Sequence, residues 1–229
     1  MSGDGYFTGD EKSLFEYWQD EERARKFLDG GTRSDMVKYV VKKDRRLFEQ
    51  SNWLDIGGGA GFIQSNVEID LYRMAVVLDI SLEGLRIHIC KESQRINGSF
   101  KSPPFRRDAF DTISSFFCLS DYPELGEILT SFVRLANGGQ FILVDYAKGD
   151  EYWENRKKAH NPSLIGNINL RSAERISQYT YKYKNLQVQE SEDKEIFVEA
   201  KELRTRLHTL PAIIKRVFFH AIIRMKQNS

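Results

Sequence analysis

Short apolar runs alternate with amphipathic stretches through the middle of the chain. Runs rich in β-branched and other apolar residues predict four buried strands, at 51–56, 74–80, 110–119 and 140–146. Apolar side chains at helical spacing predict helices at 81–96 and 123–136, and a further helix is expected after Gly61. Upstream, the same spacing predicts two more helices, at 11–28 and 34–49.

This order of elements predicts a doubly wound α/β fold, with a mostly parallel seven-stranded sheet and helices on both faces. "LQVQES" and "EIFVEAKE", within residues 186–203, are expected to form an antiparallel hairpin that finishes the sheet. Right-handed crossovers put the carboxyl ends of parallel strands at one edge, where such folds bind their ligands. We therefore expect the functional residues at the strand ends.

Three regions follow from this pattern. We predict an N-terminal helical cap or lid at 1–33 and a ligand-binding domain at 34–203, within which 150–184 would form a substrate lid. Residues 204–229 are expected to form a basic amphipathic C-terminal helix, with apolar residues at helical spacing from Leu210 to Met225. That helix has three interpretations: docking on the domain, a dimer contact, or peripheral membrane contact through 208–226.

Composition narrows the class of protein. The chain has 229 residues, of which 41% are hydrophobic and 29% charged, values typical of a globular protein. A net charge of +1 gives no global field that would favour nucleic acid as a partner. Cys90 and Cys118 have no metal-binding spacing, so we predict no metal site and expect a reducing cytoplasm. No signal peptide or membrane-spanning run is predicted.

The stretch "DIGGGAG" at 55–61 follows the first predicted strand. A phosphate-binding P-loop would need Lys and Ser or Thr after the last glycine, where the chain has Phe62. Phe62 also breaks the dinucleotide fingerprint, which needs a small residue there. The pattern that fits is D-x-G-x-G-x-G, which allows a ligand to approach the backbone closely.

This pattern resembles the class I S-adenosylmethionine-dependent methyltransferases. Further features of the same superfamily follow in order: Asp79 at the end of the second strand, the stretch 98–122, and "LANGGQFILVDY" at 135–146. Within the stretch 98–122, five residues are in register with the family: Pro104, Phe105, Phe110, Asp111 and Ile113. The resemblance is to the small-molecule, quinone-type branch (methyltransferase type 11-like) and covers about residues 50–147.

The resemblance implies S-adenosylmethionine as cofactor, with S-adenosylhomocysteine as product. The amino-acid end of S-adenosylmethionine would lie against Asp55 and four glycines, Gly57, Gly58, Gly59 and Gly61. Asp79, with Ile80 beside it, would accept hydrogen bonds from the ribose. The adenine would lie against Ser99, Phe100 and Phe116, although the family has an acidic residue at the position of Ser99.

We therefore expect methyl transfer by in-line displacement, with a small apolar or aromatic molecule as the acceptor. Positioning carries most of the rate in such a reaction, so no fixed catalytic motif is required. Weak candidates for a general base are Asp121, Tyr146 and His160. Alternatives are an RNA or protein methyltransferase that uses the basic tail, a non-catalytic nucleoside-binding protein and, least favoured, a nicotinamide oxidoreductase.

Overall fold

The apolar runs form strands of one mixed sheet. The computed structural model describes residues 11–25, 28, 34–118, 132, 134–136, 139–146, 173–177, 180–183, 196–209 and 212–225. Across these residues the sheet has nine strands: β1 (Asn52–Ile56), β2 (Met74–Asp79), β3 (Gln94–Asn97), β4 (Thr112–Phe116), β5 (Gln140–Tyr146), β6 (Ala173–Ser177), β7 (Thr180–Tyr183), β8 (Ile196–Thr209) and β9 (Ala212–Met225). Their spatial order is β3-β2-β1-β4-β5-β9-β8-β7-β6.

The sheet has a parallel half and an antiparallel half. β1 to β5 pair in parallel, whereas β9 runs antiparallel to both β5 and β8, and the β6–β7 and β7–β8 pairings are antiparallel too. The prediction of an α/β fold with a parallel sheet is confirmed. The predicted count of seven strands is wrong, because the described residues alone contribute nine to the sheet.

Four α-helices have described bounds: α1 (Glu11–Trp18), α2 (Glu21–Arg25), α3 (Ser34–Lys43) and α4 (Leu82–Arg86). α1 and α2 stand where a single helix was predicted, and a short 3-10 turn, Arg45–Leu47, follows α3. Of the predicted helix at 123–136, Phe132, Arg134 and Leu135 are helical, and most of its other residues lie outside the described ones.

An apolar cluster fixes the parallel half of the sheet against α3. Trp53 of β1 is fully buried and meets Phe48 edge-to-face, with ring centroids 4.8 Å apart. Its indole nitrogen donates a 2.8 Å hydrogen bond to the Ser114 hydroxyl on β4. Val37 and Val40 of α3 belong to the same cluster. Burial of aromatic and branched side chains on both faces stabilises these strands and positions their carboxyl ends.

The α-helix predicted directly after Gly61 is absent from the described residues 62–73. A 3-10 turn, Gln64–Asn66, is found instead, followed by a second one, Ile69–Leu71. The Phe62 carbonyl accepts hydrogen bonds from the Ser65 hydroxyl at 2.8 Å and the Asn66 amide at 2.7 Å. These side-chain bonds compete with the backbone bonds that would continue an α-helix.

The helix predicted at 81–96 ends early, and a strand was missed. Ser81 caps α4 as expected, accepting a 2.9 Å hydrogen bond from the Gly84 amide, but the helix ends at Arg86. The missed strand, β3, pairs only with β2 and has the sequence "QRIN", with one partly buried residue among exposed ones. An edge strand of this kind lacks the apolar alternation by which strands are predicted.

The predicted C-terminal helix is wrong, because most of residues 204–229 belong to β8 and β9. Apolar residues at helical spacing also satisfy a strand with neighbours on both sides, and β9 lies between β5 and β8. Its sequence, "AIIKRVFFHAIIRM", is rich in the β-branched and aromatic residues that favour strands. The predicted dimer or membrane contact through 208–226 thereby loses its helical basis.

The other predicted segments are described in part. β6 and β7 both lie within the predicted lid at 150–184, the rest of which is outside the described residues. Of the predicted hairpin at 186–203, only the part from Ile196 onward is described, as the start of β8. No helix in the described ranges is both long and apolar enough to cross a membrane.

Candidate functional site

The glycine loop joins the end of β1 to the 3-10 turn at Gln64. Gly57, Gly59 and Gly61 have positive φ angles of 72°, 43° and 87°. Two of these positions also lack room for a side chain: a Cβ on Gly57 would lie 2.4 Å from the Cys118 sulfur, and one on Gly61 would lie 2.6 Å from the His88 ring. The loop therefore requires glycine for both its backbone conformation and its packing.

Asp55 lies beneath this loop and is buried, with 1% of its surface exposed. Its carboxylate accepts hydrogen bonds from the Gln64 amide at 2.6 Å and the Ser114 hydroxyl at 2.5 Å. Burial raises the pKa of Asp55 to about 7, while those two hydrogen bonds act in the opposite direction. Asp55 thus ties β1, the loop and β4 together from inside the fold.

Asp79 ends β2 and lies at the loop's outer side. Its Oδ2 accepts a 2.8 Å hydrogen bond from the Gly59 amide, and its Oδ1 accepts a 2.7 Å bond from the Ser81 amide. Burial raises the pKa of Asp79 to about 6, against the effect of the backbone hydrogen bonds from Ser81 and Gly59. Each carboxylate oxygen keeps a further lone pair for a ligand hydroxyl.

A cavity opens between the loop and these strand ends. Its empty volume, counted out to and including the open mouth, is about 1000 Å³. Its walls are mostly apolar and are formed by Trp18, Ala24, Val37, Gly57, Gly58, Gly59, Ala60, Phe62, Ile63, Leu78, Asp79, Ile80, Ser81, Gly84, Gly98, Phe100, Phe116, Phe117 and Cys118.

Most of the residues predicted to bind the cofactor line this cavity, and three do not. Those that line it are Gly57, Gly58, Gly59, Asp79, Ile80, Phe100 and Phe116. Asp55 lies below the loop, Gly61 packs against His88, and Ser99 accepts a 3.2 Å hydrogen bond from the Lys101 amide. The structure thus brings the loop, Asp79 and two aromatic rings to one cavity, as the strand-end argument predicted.

The predicted catalytic candidates cannot be placed in the cavity. Asp121 and His160 lie outside the described residues, and Tyr146 is described only as the last residue of β5. Among the cavity-lining residues, the titratable side chains are those of Asp79 and Cys118. In the described ranges no cluster of three or more His, Cys, Asp or Glu residues could hold a metal ion.

The N-terminal helices contribute to the cavity wall. Trp18 of α1, Ala24 of α2 and Val37 of α3 all line the cavity. A helical cap or lid was predicted at 1–33, but helical spacing alone does not show which of its residues face a ligand. Phe117 and Cys118, at the end of the fourth predicted strand, also line the cavity, although they were not predicted to bind the cofactor.

Hydrogen bonds fasten the first of these helices to the loop that carries Asp79. The Gln19 side chain donates to the Ile80 carbonyl at 2.9 Å and accepts from the Leu82 amide at 3.1 Å. The Ser81 hydroxyl donates to the Trp18 carbonyl. These contacts hold Trp18 at the cavity wall, next to the residues that follow Asp79 but far from them in sequence.

His88 is a further residue of the site without a signal in the sequence. It follows α4 and is 6% exposed, with its Nδ1 2.8 Å from the Gly59 carbonyl oxygen. Burial lowers the pKa of His88, against the effect of the hydrogen bond to Gly59. A lone histidine in an amphipathic stretch gives no indication that it will lie against a loop some thirty residues earlier.

The fold and site define the class: an α/β protein whose parallel strand ends hold a glycine loop, an acidic residue and aromatic side chains around one cavity. Residues 54–144, about 40% of the chain, match the family model described as "Methyltransferase domain". No curated protein matches the sequence as a relative.

Solved structures show the same fold. The chain is similar to the YcgJ protein from Bacillus subtilis, with a TM-score of 0.55 and 13% identity over 85% of this chain and 100% of that one. It is also similar to a SAM-dependent methyltransferase from Aquifex aeolicus, with a TM-score of 0.52 and 14% identity over 89% of this chain and 98% of that one. Residues 54–144 therefore match a methyltransferase domain, and the chain has the Rossmann-like α/β fold of these solved structures. The domain match indicates S-adenosylmethionine as the cofactor.

Proposed function

We propose that the chain transfers a methyl group from S-adenosylmethionine to a small apolar or aromatic molecule bound in the cavity. The observation that carries this proposal is the position of Trp18, Ala24 and Val37, which line the same cavity as the glycine loop. Helices from outside the sheet thus help to enclose the site. A mostly apolar cavity walled in part by these helices suits a small molecule better than a nucleotide within a folded RNA or a side chain on a protein surface.

The residues of the cavity fit the cofactor. The loop at Gly57–Gly59 exposes backbone to the cavity, so that an amino-acid moiety would approach it without meeting side chains. Asp79 would accept hydrogen bonds from the ribose hydroxyls with the lone pairs that its two amide donors leave open. Phe100 and Phe116, both mostly buried, together with Ile80 offer apolar surface for the adenine.

Two of the three predicted contacts that lie off the cavity, Asp55 and Ser99, are reassigned in this proposal. Asp55 would act through the loop, whose position it fixes by its bonds to Gln64 and Ser114. Ser99 would leave adenine recognition to Phe100, its neighbour at the cavity wall. In this proposal Asp55 therefore has a positioning role in place of its predicted cofactor contact, Ser99 makes no direct cofactor contact, and Asp79 keeps its predicted ribose contact.

When bound, S-adenosylmethionine supplies a methyl group that its sulfonium already activates. The chain then has to hold an acceptor in line and keep water out, a contribution of about 7–11 kcal/mol in favourable cases. The aromatic side chains of Trp18, Phe62 and Phe117 would provide the apolar walls for that acceptor. The cytoplasmic location expected from the sequence stays part of this proposal and is supported by composition alone.

Incubation with methyl-labelled S-adenosylmethionine and three separate acceptor pools tests the proposal. The pools are a small-molecule extract, total RNA and total protein, and the expected result is label in the small-molecule pool. A Trp18→Ala variant should lose most of that transfer while its affinity for S-adenosylhomocysteine changes less. Label in RNA or protein would overturn the small-molecule proposal. Cofactor binding without transfer to any pool would favour the non-catalytic alternative.

A further inference from the structure

We propose that His88 is a positioning residue for the cofactor, whose Nδ1–H group holds the Gly59 carbonyl and thereby sets the glycine loop against Asp79. The inference rests on the proposed cofactor site and adds to it a residue that touches the loop from the side away from the ligand. His88 is absent from the cavity wall, so its effect on the cofactor would pass through the loop.

Both backbone polar groups of Gly59, its amide and its carbonyl, make contacts with side chains. Its amide donates to Asp79 Oδ2 at 2.8 Å, and its carbonyl oxygen lies 2.8 Å from His88 Nδ1. Asp79 would bind the ribose and the loop would bind the amino-acid end of the same molecule. The distance between these two parts of the site must therefore match the cofactor, and Gly59 is the residue that links them.

Two further contacts hold the segment after α4 against the loop. The amide of Ile89, next to His88, donates a 3.0 Å hydrogen bond to the Ala60 carbonyl. The His88 ring occupies the space in which a Cβ on Gly61 would lie, 2.6 Å from the ring's Cε1. Successive loop carbonyls, at positions 59 and 60, thus accept bonds from successive residues at 88 and 89, and Gly61 makes room for the ring.

The geometry also assigns the tautomer of His88. A carbonyl oxygen can only accept a hydrogen bond, so Nδ1 must carry the proton. Nε2 is buried and has no hydrogen-bond partner among the described residues. A second proton, on Nε2, would create a buried positive charge without a hydrogen-bond acceptor. Burial lowers the pKa of His88, and the positive charge of Arg95 lowers it further. The ring is therefore neutral, with its proton on Nδ1.

Two substitutions separate the hydrogen bond from the volume of the ring. His88→Asn places an amide donor near the position of Nδ1 and gives up the rest of the ring. His88→Phe keeps the ring and gives up the donor. Calorimetric titration of both full-length variants with S-adenosylhomocysteine should show affinity close to that of the wild type for His88→Asn and a loss of about tenfold for His88→Phe, the effect of one lost buried hydrogen bond.

The opposite pattern, with binding retained in His88→Phe, would overturn the proposal, because ring shape would then hold the loop. An equal loss in both variants would overturn it too, because the Nδ1–H donor alone would then not account for the affinity. Nitrogen chemical shifts of the wild-type protein give a second readout that needs no variant to fold. They should show His88 neutral and protonated on Nδ1; a proton on Nε2 would contradict the contact. If the wild type bound no S-adenosylhomocysteine, the cofactor site would fail, while the tautomer would still test the contact with Gly59.

Discussion

Asp55 and Asp79 lie near the carboxyl ends of neighbouring parallel strands, yet they face different parts of the molecule. Asp55 is the fourth of the five residues of β1 and is bound by Gln64 and Ser114 inside the fold. Asp79 is the last residue of β2, lines the cavity and accepts bonds from the amides of Gly59 and Ser81. Two aspartates near the ends of adjacent strands thus have different tasks.

Strand register explains the difference. Asp55 pairs with Val77, two residues before Asp79. At about 3.3 Å per residue, Asp55 lies about 7 Å further back along the sheet, beneath the loop that Asp79 faces. An acidic residue at a strand end is therefore a ligand contact only if it extends as far as the loop. A residue that lies two positions earlier in the strand register, such as Asp55, is beneath the loop and supports it.

The largest expected effect concerns the pH dependence of Asp55. Its folded pKa of about 7 lies above its usual 3.8, so the folded chain keeps a proton that the unfolded chain releases. The resulting stabilisation is fully present below about pH 4 and is lost as the pH rises through 7. Relative to an Asp55→Asn variant, the ligand-free wild type should lose about 3–4 kcal/mol of unfolding free energy between pH 4 and pH 8.

Denaturant unfolding of both proteins across this pH range measures that difference. Asp55→Asn provides the matched comparison, because an amide has the size of the carboxyl group and does not titrate. Parallel curves for the two proteins would show that Asp55 titrates as an ordinary surface carboxyl group, contrary to its burial.

The next effect concerns Asp79 and should appear in ligand binding more than in stability. Asp79→Asn removes the charge from the ribose contacts, and we expect S-adenosylhomocysteine to bind about 10–100-fold more weakly, the effect of about 1.5–3 kcal/mol for hydrogen bonds to a charged group. The rise in melting temperature on adding ligand should shrink accordingly. Asp111→Asn is the control, since Asp111 is exposed, pairs with Arg73 and does not line the cavity. A reduced rise in that variant as well would point to a general loss of fold.

The smallest expected effect concerns Gln19, which extends the comparison from the strand ends to the cap. Gln19→Ala removes its two hydrogen bonds, to the Ile80 carbonyl and from the Leu82 amide, and frees the end of α1 from the loop after Asp79. We expect about fivefold weaker S-adenosylhomocysteine binding by calorimetry, from about 1 kcal/mol of partly exposed hydrogen bonding. Gln19→Glu, which keeps the acceptor and loses the donor, should fall between. Unchanged affinity in both variants would mean that the cap does not act on the site.

The sequence allowed the parallel half of the fold to be predicted, because strands buried on both faces produce continuous apolar runs. It also pointed to Gly57–Gly59 and Asp79, where backbone geometry and strand ends determine the chemistry. β3 escaped because an edge strand with polar residues has no apolar period. β9 was taken for a helix, since an apolar sequence satisfies both spacings and only its neighbours, β5 and β8, distinguish them.

The remaining features of the site depend on contacts that no local pattern records. The His88 ring contacts the Gly59 carbonyl, and the Gln19 side chain donates to the Ile80 carbonyl. In each pair the two residues are far apart in the chain. The support role of Asp55 depended on strand register, which the apolar pattern of a central strand specifies poorly. Tertiary packing therefore decided which of the predicted residues touch the cavity.

The most direct test of the account is a calorimetric titration of the wild-type chain and an Asp79→Ala variant with S-adenosylmethionine. The account predicts micromolar binding by the wild type and no measurable binding by Asp79→Ala, with both proteins folded. Absence of binding by the wild type, or wild-type affinity in the variant, would contradict the claim that the cavity beside Asp79 holds the cofactor.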